Sequence, residues 1–172
     1  MTDSRPKLIA LCGSLRHDSL NRALIGAIAT MGVFDVVEAD TRLPPFQPEL
    51  ADDAPADVLA FRALIRSGDA VIVCAPEYAM GIPGVLKNAI DWTVGSCEFE
   101  DRPCALITCT ASGQIAHPAM IEVLKVLGAR LSDATTSLMP HNRAKIRADG
   151  SFVTPEAEAE IRSVVTALRE IG

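Results

Sequence analysis

Five short apolar runs alternate along the chain with stretches in which apolar residues recur every three or four positions. Lys7 to Cys12 is apolar after its first residue, as a strand buried on both faces requires. A turn opened by Gly13 leads to Leu20, Leu24, Ile28 and Met31, which share one side of a helix. The pattern then predicts a strand from Val33 to Glu38, a helix carrying Val58, Phe61 and Ile65, and a third strand from Ala70 to Cys74. Between the second strand and its helix, Leu43-Pro44-Pro45-Phe46-Gln47-Pro48 excludes regular structure and is expected to cross the surface. Pro83 suits the first position of a third helix that reaches Trp92, and Cys104 to Cys109 is the fourth strand. Met120, Leu124 and Leu127 give a fourth helix stopped by Gly128. The more polar run from Ala129 to Thr136 is expected as an edge strand, followed by an irregular segment from Met139 to Gly150. Thr154 as cap and Pro155 as first helical residue introduce a last helix with Ile161, Val164, Leu168 and Ile171 on one face.

Continuous apolar strands alternating with helices specify an α/β fold, a parallel sheet covered by helices on both faces. With five strands and right-handed crossovers, the expected architecture is a flavodoxin-like, doubly wound sheet of order 2-1-3-4-5. The length of 172 residues suits a single domain over residues 1–172. Ligands of such sheets lie beyond the carboxyl ends of the strands, in the crevice between strands one and three. The loops after those strands are therefore where chemistry is to be sought.

Composition narrows the choice of partners. The formal charge of -6 and pI near 5.0 disfavour nucleic acid and anionic membrane. No apolar run is long enough to span a bilayer, and the start Met1 to Lys7 is polar, so the expected compartment is the cytoplasm. Five cysteines, an odd number with neither a C-x-x-C pair nor a metal-ligand spacing, suggest a reduced compartment. The acidic turn Glu98-Phe99-Glu100-Asp101 is expected to be a solvated loop.

The first loop runs Gly13-Ser14-Leu15-Arg16-His17-Asp18-Ser19-Leu20-Asn21. A helix start supplies unpaired N–H groups and partial positive charge; Ser14, Ser19 and Asn21 add hydrogen-bonding groups, and Arg16 a fixed cation. Ser19 as a plain cap and Arg16 as a solvated charge remain an equal reading of this loop alone. Neither G-x-x-x-x-G-K-[ST] nor G-x-G-x-x-G occurs, which excludes the triphosphate loop and the dinucleotide fingerprint. A phosphatase-like loop needs Arg six positions after its nucleophilic Cys, and that position after Cys12 is Asp18. The loop after the third strand, Pro76-Glu77-Tyr78-Ala79, holds the sole Tyr, and the helix behind it ends on the sole Trp.

Together, Gly13-Ser14-Leu15-Arg16 with Ser19 and Asn21, Pro76-Glu77-Tyr78, and Pro83-Gly84 followed by Leu86 to Trp92 resemble the NAD(P)H-dependent FMN reductase family, which includes quinone, chromate and azo-dye reductases. The resemblance implies a flavodoxin-like fold, non-covalent FMN, NAD(P)H as co-substrate, and a homodimer or homotetramer. It places Ser14, Arg16, Ser19 and Asn21 on the FMN phosphate, with Leu20 among them at the cofactor. Pro76, Glu77, Tyr78 and the backbone of Ala79 would border the isoalloxazine ring, with Ser112 and Gly113 matching the third loop. In the family the third helix packs on a partner subunit, and Trp92 is favoured as an interface anchor over a core residue. Two departures stand out. Ala79 replaces the usual Asn, and Ser112-Gly113-Gln114-Ile115 replaces paired glycines.

The implied function is a reductase passing hydride from the nicotinamide through FMN to a quinone, azo, metal-oxyanion or free-flavin acceptor, with no catalytic side chain because the flavin carries the chemistry. His117 and His141 are expected as solvated loop residues. The alternatives are a non-enzymatic flavodoxin-like electron carrier, for which Glu98, Glu100 and Asp101 are a thin acidic surface, and a flavin-free dimeric binding module.

Overall fold

A computed structural model describes residues 5–172; the first part of the polar start, residues 1–4, lies outside the described residues. Strands β1 (Lys7–Cys12), β2 (Asp35–Ala39), β3 (Ala70–Ala75), β4 (Cys104–Cys109) and β5 (Thr136–Met139) form one parallel sheet in the order β2-β1-β3-β4-β5. The strands alternate with helices α1 (Leu20–Thr30), α2 (Ala56–Arg66), α3 (Gly84–Asp91), α4 (Ala116–Val126) and α5 (Pro155–Ile171). This is the doubly wound, flavodoxin-like fold that the alternation predicts.

The three central strands, β1, β3 and β4, are buried along nearly their whole length because helices cover both faces. Alternate side chains divide between two layers. Leu8, Ala10, Ile72 and Ile107 pack with Leu24 and Ile28 of α1 and Ile161 and Leu168 of α5. Ile9, Leu11, Val71 and Leu106 pack instead with Phe61, Leu86, Ile90 and Leu124 of α2, α3 and α4. Each such Leu or Ile contributes about 1.5–3 kcal/mol on leaving water. Registers Cys12↔Cys74 and Cys109↔Met139 bring the strand ends level, so the loops after them gather at one edge.

Several elements differ from expectation. β5 begins at Thr136, where the edge strand from Ala129 was expected to end. Arg130 makes only an isolated bridge to Pro103, and Ser132 and Thr135 then close a reciprocal cap that turns the chain before pairing starts at Leu106↔Thr136. β2 starts two residues late, after buried Phe34, and Pro83 caps α3 while Gly84 opens it.

Trp92 belongs to the core and not to an exposed interface. Its ring is fully buried, edge-on to Phe46 at 5.1 Å and packed with Ala54 and Val58. Its indole N–H donates to Pro44 O at 2.8 Å. The proline-rich loop is thereby pinned over α3, with Phe46 N–H also donating to Asn88 Oδ1 at 2.8 Å. The acidic turn is likewise not simply solvated. Phe99 is buried, and the buried Glu98 carboxylate accepts from Arg66 and from Ser96 Oγ.

Candidate functional site

At the end of β1 the chain must cross β3 closely, and Gly13 permits it. A Cβ there would stand 2.8 Å from Ala75 Cβ, and the Gly13 N–H donates to Cys74 O at 2.8 Å. Beyond it, the buried Ser14 hydroxyl lies 3.2 Å from Tyr78 Oη, joining the two loops singled out by sequence. Ser19 caps α1, accepting from Arg22 N–H, and Leu20 and Asn21 of the first turn, whose N–H groups lie outside the helix's own ladder, line the cleft. Asn21 is buried; its Nδ2 donates to Cys109 O at 3.0 Å, and its Oδ1 has no hydrogen-bond partner.

Glu77 does more than face the crevice. Its N–H donates to Thr110 Oγ1, and its carboxylate accepts from Ala116 N–H at 2.7 Å, Ile115 N–H at 2.8 Å and Ser112 Oγ at 2.9 Å. The start of α4 has no side-chain cap of its own, and this carboxylate from the neighbouring loop fills that place. The Ala116 N–H first, then the other donors, hold the Glu77 carboxyl below the ordinary glutamate range. Beyond it the chain reverses at Tyr78, whose N–H and C=O pair with those of Gly81. Ala79 and Met80 between them have φ of 48° and 58°, the left-handed pair of a type I′ turn.

The third loop is held from below. Gly113 has φ of 80°, and a Cβ would stand 2.5 Å from both Leu138 Cδ1 and Thr110 Cγ2. His117 is not a solvated loop residue; it lies in the first turn of α4, half-buried, with Nδ1 2.8 Å from Thr108 Oγ1. Burial lowers its pKa.

These loops border a cleft of about 510 Å³. Ser14, Arg16, Ser19, Leu20 and Asn21 line one side, and Pro76, Glu77 and Tyr78 another, so eight of the residues picked from sequence meet there. Ala79, Ser112 and Gly113 do not line it: Ala79 sits in the exposed turn, Ser112 bonds Glu77, and Gly113 is packed beneath the loop. A fourth wall escaped the sequence reading. Thr110 and Ala111 continue into Asn142, Arg143, Ile146 and Arg147 from the segment after β5. Asn142 N–H donates to Thr110 O at 3.0 Å, which fixes this wall on the third loop. Its signal was a pair of arginines in a stretch without periodicity.

Three arginines, Arg16, Arg143 and Arg147, line the cleft, together with the acids Asp18 and Glu77. Its thiol neighbours are inert: burial raises the Cys12 pKa and pushes Cys109 up to about 12. Among the described residues no cluster of His, Cys, Asp or Glu could hold a metal ion, and no helix is long and apolar enough to cross a membrane.

Comparison with known proteins agrees with this geometry. The profile of the family described as NADPH-dependent FMN reductase matches residues 6–143. A potato (Solanum tuberosum) protein named NAD(P)H:quinone oxidoreductase is 35% identical, the match covering 96% of this chain and 92% of that one. A Burkholderia 2-hydroxy-1,4-benzoquinone reductase is 29% identical over 91% of each chain. Among solved structures, the flavoenzyme NAD(P)H:(acceptor) oxidoreductase FerB of Paracoccus denitrificans superposes with a TM-score of 0.84 at 28% identity, over 96% of each chain. A parallel sheet whose first loop meets a Pro-Glu-Tyr loop at one edge, and a family profile covering both, lead to one assignment: the chain belongs to the NADPH-dependent FMN reductase family.

Proposed function

We propose that the cleft holds FMN and that the protein is an NAD(P)H-dependent reductase of quinone-class acceptors, acting as a homodimer or homotetramer in the cytoplasm. The observation that carries the reading is the meeting of Ser14 and Tyr78, which joins the anion-binding start of α1 to a flat aromatic surface across one cleft. The residues present fit FMN: a helix start and guanidinium groups suit its phosphate, and the unpartnered Asn21 Oδ1 suits a hydroxyl donor of its ribityl chain. The quinone class is supported by the names of the potato and Burkholderia relatives. The reduced compartment is supported by the odd number of cysteines.

When bound, FMN supplies two-electron exchange between the nicotinamide and the acceptor. The chain's own residues bind, orient and shield. Glu77 anchors its loop to α4, which holds Pro76 and Tyr78 at a fixed height over the strand ends. Tyr78 lines the cleft and is 47% exposed, which leaves its aromatic ring available to a planar ligand. No side chain is assigned as nucleophile or general base. The burial of Glu98 removes one acid from the surface that an electron carrier would use, which favours the enzyme over the carrier. Any subunit contact made by α3 excludes the Trp92 ring, whereas Val94 just after it is exposed.

The test is steady-state oxidation of NADH and NADPH by the FMN-loaded protein with and without a benzoquinone. Quinone-dependent turnover supports the reading. Bound FMN with no oxidation of either nucleotide overturns it in favour of a carrier.

A further inference from the structure

The fourth wall of the cleft belongs to neither loop motif, and its part after residue 143 lies beyond the family profile. We propose that Arg143 and Arg147 form a second anion clamp which, with Arg16, neutralises the phosphate of FMN and makes this site select FMN over riboflavin. The inference rests on the reading that the cleft holds a flavin.

Two contacts place this wall at the phosphate end. Asn21, in the first turn of α1, and Asn142 donate their side-chain amides to the same carbonyl, Cys109 O, at 3.0 and 3.3 Å. The short turn Asn142–Ala144 is therefore seated beside the start of α1, and Arg143 with it. The hairpin that follows, bridged at Ile146↔Phe152, lies on the same helix. At its tip Gly150, with φ of 85°, comes so close that a Cβ would stand 3.0 Å from Ala23 O. Arg147 is oriented from behind, because its Nη1 donates to Ser151 Oγ at 3.2 Å and to Phe152 O at 3.1 Å.

Charge gives the clamp its purpose. Among the described residues no carboxylate lies within ion-pair distance of Arg143 or Arg147. Arg16 makes only a long contact with Asp18, at 3.9 Å between two exposed groups. In a chain of net charge -6, Arg143 and Arg147 on one cleft wall, the second offset only in part by the nearby Asp149 carboxylate, form a local positive field. A phosphate monoester carries about -1.5 to -2 charges, and a helix start offers only about +0.5. The α1 terminus and Arg16, itself drawn toward Asp18, leave much of that charge uncompensated, and the two arginines supply the remainder. Riboflavin has no phosphate and gains nothing from them.

The experiment is equilibrium titration of FMN and of riboflavin, read by quenching of flavin fluorescence, into wild type, Arg143→Gln, Arg147→Gln and the double variant at low and moderate salt. Each single variant is expected to weaken FMN about tenfold, as for one charged hydrogen bond, and the double variant more. Riboflavin affinity is expected to stay unchanged, and the salt dependence of FMN binding to flatten. Unchanged riboflavin binding also reports an intact cleft, which matters for Arg147 because it braces the hairpin. FMN affinity unaffected in the double variant, equal weakening of both flavins, or a raised NADPH KM with unaltered FMN binding would each overturn the clamp while leaving the flavin site standing. Wild type that binds neither flavin overturns the site and the clamp together.

Discussion

The carboxylate of Glu77, at the end of one strand's loop, accepts the backbone N–H of Ala116 at 2.7 Å and so caps the helix that follows the next strand. A charged group 39 positions away replaces the missing side-chain cap of α4 and locks two cleft loops into one unit. Glu77→Gln keeps the shape but halves the acceptor strength, whereas Glu77→Ala frees both loops. Both variants are expected to melt at lower temperature than wild type, Ala more than Gln, and Ala to bind FMN at least several-fold more weakly, measured by thermal denaturation and flavin titration.

The same contact gives a pH dependence with a definite sign. A carboxyl held below its ordinary value in the folded state contributes stability that is present above the unfolded value, about 4.3, and lost as pH falls through the folded one. Wild type minus Glu77→Gln stability, followed by urea denaturation, is expected to be constant from pH 7 to about 5 and to shrink below about 4.3. A difference that grows on acidification would contradict the cap.

Ala79 and Met80 occupy left-handed backbone that favours Asn and Gly. Ala79→Asn together with Met80→Gly is expected to stabilise the protein by about 1 kcal/mol, read from urea midpoints at unchanged m-value. Flavin affinity should be retained, because neither side chain lines the cleft.

Trp92 tests the placement of α3. Trp92→Phe removes the indole donor and leaves Pro44 O to Asn88 Nδ2 alone, at 3.0 Å. A loss of about 1–2 kcal/mol is expected with no change in oligomeric state by light scattering. Dissociation of an oligomer at unchanged monomer stability would return the ring to an interface.

The central strands and the two facing loops are legible in the sequence because their signals are local. Ala70 to Cys74 is a continuous apolar run, and Ser19 is a cap whatever lies around it. The misplaced features depend on partners distant in the chain. β5 starts late because Ser132 and Thr135 bond each other, Trp92 is buried because Phe46 and Pro44 fold over it, and Glu98 is buried because Arg66 meets it. The fourth wall is the strongest case. Asn142 and Arg143 reach the cleft only because β5 pairs beside β4, and nothing in the run Met139 to Gly150 reports that pairing.

The central claim is a flavin mononucleotide site in the cleft that Ser14 and Tyr78 border, and it is tested most directly by titrating the purified protein with FMN and recording the visible spectrum. One FMN per chain, bound saturably at micromolar concentration or below with a perturbed flavin band that Tyr78→Ala alters, is the predicted result. A spectrum identical to that of free FMN at every ratio would contradict it.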